Sequence, residues 1–187
     1  GLIKNTNFSK KNNLLKENDK IYLIGKEGNN ISCSNFLEKI IFKKKQNLGP
    51  PPSINYNNEI KNGRFILNLY ENKLIKCCND ISSGGMIISL LKMLISNNFG
   101  AQIDKNFINN YISDKKFFQI LFGEDAGNYL IVTNNEEKLK KLAKKNYVNI
   151  IKIGLTKRNY LNINNQIIKL AELKNNFENN FFNYINK

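Results

Sequence analysis

Asp80-Ile81-Ser82-Ser83-Gly84-Gly85 stands between an apolar run, Leu74-Ile75-Lys76-Cys77-Cys78, and a helix-like run, Met86-Ile87-Ile88-Ser89-Leu90-Leu91-Lys92-Met93-Leu94. The order reads as strand, glycine turn, helix. Asp80 falls at the strand end, where a carboxylate suits a metal or a hydroxyl. Ser82 or Ser83 is placed to accept a bond from the free amides of the first helical turn. Gly84 and Gly85 let the backbone approach a ligand or a neighbouring element. A turn of this kind aims amide donors and a helix N-terminus at one point, which suits an anion. By itself it is also a common way simply to reverse the chain.

Two further segments flank it. Downstream lies Leu121-Phe122-Gly123-Glu124-Asp125-Ala126-Gly127-Asn128, followed by a strand pattern, Tyr129-Leu130-Ile131-Val132-Thr133. Upstream lies Gly49-Pro50-Pro51-Pro52, a stiff extended connector. In that order and spacing the three pieces resemble the synthetase subunit of phosphoribosylformylglycinamidine synthases, over about the last quarter of those proteins. Asp19-Lys20-Ile21-Tyr22-Leu23-Ile24-Gly25, Ser32-Cys33-Ser34-Asn35-Phe36-Leu37 and Ile151-Lys152-Ile153-Gly154-Leu155-Thr156 resemble further segments of the same family.

The rest of the chain is consistent with one well-cored domain of 187 residues. Residues 1–18 read as a linker and the end of a preceding domain, and 19–187 as the domain proper. The first residue is Gly, so a fragment or a processed chain is expected. Strands are expected at 20–25, 74–79, 99–103, 129–133 and 147–155. Helices are expected at 34–43, around 60–70, at 84–97, in short pieces within 105–120, at 135–146 and over the tail at 169–184. Residues 159–163 and 166–168 read as a hairpin across Asn164-Asn165. Strands and helices mix without strict alternation, so the fold class is α+β, with helices packed on a mixed β-sheet. The resemblance implies the same fold, the C-terminal domain type of the aminoimidazole-ribonucleotide synthetase superfamily.

The formal net charge is +14. Asn and Lys make up roughly a third of the chain, far above ordinary usage, and Arg occurs only at Arg64 and Arg158. A codon bias toward Asn, Lys and Ile raises the charge without a nucleic-acid partner, and phosphate readers favour the Arg fork. The densest lysines are 43–45 and 138–145, and the second run fits the solvated face of a helix. No nucleic acid is therefore expected as a partner, and no membrane either, since no apolar stretch approaches the length of a membrane span. The three cysteines form no metal pattern. Cys77 and Cys78 point to opposite faces of a strand, and a reduced, cytoplasmic location is the simplest fit.

The chain has no His, which excludes imidazole triads within it. Carboxylates and glycine turns remain. Asp80, Glu124 and Asp125 are candidate magnesium ligands, Asp80 and Glu124 foremost, with Glu124 and Asp125 equally readable as capping residues or a loop-surface pair. The resemblance implies a nucleotide or phosphate pseudo-site at Asp80, Ser82, Gly84, Gly85, Gly123 and Glu124, in the second of two similar halves. It implies that ATP and Mg2+ are bound mainly by upstream domains, where the catalytic residues also lie. It further implies formylglycinamide ribonucleotide as substrate, a separate glutaminase subunit and a small bridging subunit. Family members carry His where Asn79 stands, Gln at Ala126 and Arg at Asn128, a loss of donors that weakens phosphate binding at the turn. Other readings are a different ATP-dependent enzyme of the superfamily, of selenophosphate synthetase or thiamine-phosphate kinase type, or a basic RNA-binding module.

Overall fold

The computed structural model describes residues 15–43, 49–112 and 116–185, without side-chain detail at 111–112 and 180–185. Strands are β1 (Lys20–Ile24), β2 (Cys77–Asp80), β3 (Gly100–Ile103), β4 (Tyr129–Thr133), β5 (Ile150–Lys157), β6 (Tyr160–Ile163) and β7 (Gln166–Lys169). Helices are α1 (Tyr56–Glu71), α2 (Gly85–Ser96), α3 (Lys105–Ile112), α4 (Phe117–Phe122), α5 (Glu136–Lys145) and α6 (Leu170–Ile185). The strands form one seven-stranded sheet in the order β2-β4-β1-β5-β3-β6-β7. It is mixed because β3 pairs with β6 in parallel while the other neighbours are antiparallel. The expected α+β fold is the one formed.

An interior strand explains the layering. On β1 successive side chains leave opposite faces of the pleat. Ile21 and Leu23 join a core with α2, α3 and α4, whereas Tyr22 and Ile24 join a second core with α1 and α5. Helices therefore cover both faces, and β1 is apolar along its length. Cys77 and Cys78 divide in the same way, one against each core. Both thiols are free and are pushed up to about 12 by burial. They are therefore protonated and inert at neutral pH, whereas Cys33 is exposed. A disulfide reagent at neutral pH is expected to label Cys33 alone in the native chain. Labelling of Cys77 or Cys78 without unfolding would contradict this packing.

Most expected elements form, with shifted ends. The helix expected near 60–70 begins earlier, at Tyr56, because the Asn55 side chain accepts from Asn58 N and caps it. The expected hairpin forms as β6 and β7 across Asn164-Asn165, both left-handed. The helix expected at 34–43 is corrected. Its core is a π turn at Leu37–Ile41, closed by Phe42 N donating to Leu37 O, and it buries none of its residues. Ile40 and Ile41 are more than half exposed, so their helical spacing does not mark a core face. Leu15 is buried in the first core, and Lys16 O accepts from Thr156 Oγ1. Residues 1–14 of the expected linker lie outside the described residues. Among the described residues no helix is long and apolar enough to cross a membrane.

Candidate functional site

The glycine turn lies at one end of β2. Asp80 closes that strand opposite Tyr129, and Gly84 precedes α2 with a φ of 89°, in the left-handed region. The expected serine cap is corrected, since no side chain of the turn caps α2. Ser82 instead offers its backbone carbonyl to Gly85 N at 2.9 Å. The anion at the turn comes from another part of the chain. Gly84 N donates to Glu124 Oε1 at 2.8 Å, and Asn35 N donates to the same oxygen at 3.0 Å. A carboxylate is a stronger acceptor than a hydroxyl, and its charge suits the N-terminal end of α2.

Asp125 repeats the device. Its Oδ2 accepts from Asn29 N at 2.8 Å and Asn30 N at 3.0 Å. Adjacent carboxylates on one turn thus hold the 29–35 loop, and Glu124 ties that loop to the start of α2. Phe36 stacks on Phe122 with ring centroids 4.3 Å apart, which holds the same loop against α4. The glycines serve this closeness. A Cβ on Gly85 would stand 2.6 Å from the backbone of Phe122, and one on Gly123 would stand 3.0 Å from the Cα of Gly28. Of the two uses of glycine at such a turn, the approach here is to a neighbouring element.

Gly84, Gly85, Gly123 and Glu124 are therefore brought together. Asp80 is four residues before Gly84 and exposed, and among the described residues its carboxylate accepts no hydrogen bond. The sequence reading missed Asn128 and Asn62, both buried. Asn128 Oδ1 accepts from Lys26 N at 3.0 Å, and Asn62 Nδ2 donates to Gly127 O at 2.8 Å. The signal available was Asn128 itself, read only as a missing Arg, although a short amide beside Gly127 suits a tight loop tie.

These residues do not fit a divalent cation. Glu124 directs an oxygen onto two amides, and no group of three or more His, Cys, Asp or Glu among the described residues is placed to hold a metal. Nor do they supply a nucleophile with a base, given the absent imidazole and the protonated buried thiols. What the arrangement does is hold three segments together. Glu124→Ala is expected to lower stability by about 2–3 kcal/mol, the scale of bonds to a charged acceptor. Glu124→Gln, which keeps an acceptor, should lose less. An unchanged urea midpoint for Glu124→Ala would show that the carboxylate holds nothing.

Residues 16–158 match the family described as AIR synthase related protein, C-terminal domain. The chain belongs to that family. Among members of this AIR synthase family, it is similar to the phosphoribosylformylglycinamidine synthase subunit PurL of Pelagibacter ubique (strain HTCC1062). The two are 39% identical over 155 residues, covering 81% of this chain and 20% of that protein. PurL of Zymomonas mobilis is 27% identical over 161 residues, covering 86% of this chain and 21% of that protein. The chain thus spans about a fifth of the length of the curated relatives it matches. Its fold is that of part of T. maritima PurL, solved in complex with FGAR. The TM-score is 0.67 at 15% identity, with 86% of this chain and 28% of that chain covered.

Proposed function

We propose that this chain is the C-terminal domain of the second half of a PurL-type phosphoribosylformylglycinamidine synthase. The observation that carries the reading is the 39% identity over 155 residues to a protein of that name. In this reading the whole protein is a ligase of purine biosynthesis. It uses ATP and Mg2+ to activate the amide oxygen of formylglycinamide ribonucleotide, and glutamine-derived ammonia displaces the phosphate to give the amidine. Upstream domains hold the reacting groups, ATP and metal. A glutaminase subunit and a small bridging subunit complete the system, in the cytoplasm.

The turns at Asp80, Ser82, Gly84, Gly85, Gly123 and Glu124 are, in this reading, the second-half counterpart of a nucleotide site. The Glu124 carboxylate occupies the amides that a phosphate oxygen would need. Such a pseudo-site contributes interdomain structure and no chemistry.

The test is a domain exchange. This chain replaces the matching segment of the P. ubique PurL, and amidine formation is assayed with ammonia as the nitrogen donor. Activity of the chimera is expected, and Asp80→Ala should leave it within about a factor of ten, below the ordinary contribution of an acid–base group. A folded chimera that binds ATP but forms no amidine would sink the assignment. The isolated chain is expected not to hydrolyse ATP. Turnover by the pure chain that disappears in Asp80→Ala would place reacting groups here after all.

A further inference from the structure

A concave surface lies on the other face of the sheet from the glycine turn. It is a groove of about 540 Å3 between the outer side of α1 and the C-terminal end of α5. Asn57, Lys61, Arg64 and Asn68 line it along α1, with Asn146 across from them. Those four positions follow one another at intervals of four, three and four, which keeps them on one helical face. Ile60 supplies apolar wall.

The chemistry of this lining is one-sided. It has two cations, three side-chain amides and no carboxylate. Among the described residues no ion pair includes Arg64, so its donor fork is uncommitted. Lys61 Nζ spends one donor on Tyr147 O at 3.0 Å, which holds its ammonium over the groove and covers a carbonyl beyond the end of α5. Asn68 Oδ1 accepts from Asn72 Nδ2 at 3.0 Å, which leaves the Asn68 amide hydrogens for another acceptor. Arg64 is also one of only two arginines among 29 basic residues. Arg differs from Lys where planar, two-point recognition of an oxyanion is needed.

We propose that this groove is a binding site for a phosphate group, either free phosphate or the phosphate of a nucleotide-sized ester. Arg64 would grip two oxygens, Lys61 would add charge, and the Asn amides would take the remaining acceptors. The volume falls in the range of small-ligand pockets. The inference rests on the groove alone and does not depend on the PurL reading.

The test is an amide NMR titration of the 187-residue chain with inorganic phosphate, ADP and adenosine, without magnesium. Phosphate and ADP are expected to give saturable shifts at Asn57, Lys61, Arg64, Asn68 and Asn146, and adenosine none. Tighter binding of ADP identifies an ester as the ligand, and equal binding identifies the free oxyanion. Arg64→Ala should weaken binding about tenfold or more, and Arg64→Lys less, as expected for charge-assisted bonds of this kind. Arg64 is exposed, so the variant should fold. Lys61→Gln provides a second, independent loss. Shifts that do not saturate by about 10 mM, a bound at the weak end of specific binding, would overturn the proposal. So would shifts that follow the lysines of 138–145 and ignore Arg64→Ala.

Discussion

Lys76→Met is expected to destabilise the domain by about 3–5 kcal/mol, the cost of leaving one charge of a buried pair without its partner. Lys76 Nζ lies 2.8 Å from Asp19 Oδ2, and the side chains are only 9% and 6% exposed. Asp19 also accepts from Lys16 N at 2.6 Å, so its carboxylate positions the chain just before β1. Lys76 leads into β2, with its own N–H donating to Val132 O at 2.8 Å. The pair therefore ties the edge strand β2 to the chain that enters the interior strand β1. Removing the ammonium leaves an uncompensated carboxylate in a site that water scarcely reaches. Lys76→Met combined with Asp19→Leu removes both charges and should recover much of the loss. Urea unfolding followed by circular dichroism measures all three variants. A Lys76→Met midpoint equal to wild type would mean that the pair is solvated in solution. Lys140→Met provides the contrast, since the Lys140 side chain is 53% exposed, salt screens its pair with Glu136, and its loss should matter little.

Gly85→Ala should be comparably damaging, by roughly 2–5 kcal/mol, for two additive reasons. Gly85 has a φ of +70°, where a Cβ costs about 1–2 kcal/mol. That Cβ would also stand 2.6 Å from the Phe122 backbone and 2.8 Å from Leu121 O, so α2 and α4 would have to part, adding about 1–3 kcal/mol. Gly63→Ala is the matched control. It lies inside α1, and its added Cβ would meet only Tyr129 Oη at 3.6 Å, an ordinary contact. Relief of glycine's backbone entropy there should stabilise by about 0.5–1 kcal/mol. If both substitutions shift the thermal midpoint alike, the close approach of α2 to α4 is wrong.

Much of this was readable from the chain. The apolar run of β1, the glycine turn before α2 and the Asn164-Asn165 hairpin are local patterns, and the elements appear where those patterns lie. The π turn was not readable. Phe36, Leu37, Ile40 and Ile41 have the spacing of an α-helix, but Phe36 packs on Phe122 while Ile40 and Ile41 face solvent. Periodicity reports which residues share a side and not whether anything covers that side.

The order of residues by itself determined most of the secondary structure, because backbone sterics and side-chain period act between near neighbours, and with it the mixed-sheet class and the family. Which groups satisfy the turn was settled only in three dimensions. Gly84 lies 40 residues from Glu124 and Asn35 lies 89 from it, so a serine cap and a distant carboxylate were equally consistent with the local pattern. The groove of Arg64 exists for the same reason, since α1 and the end of α5 are neighbours only after both have packed on one face of the sheet.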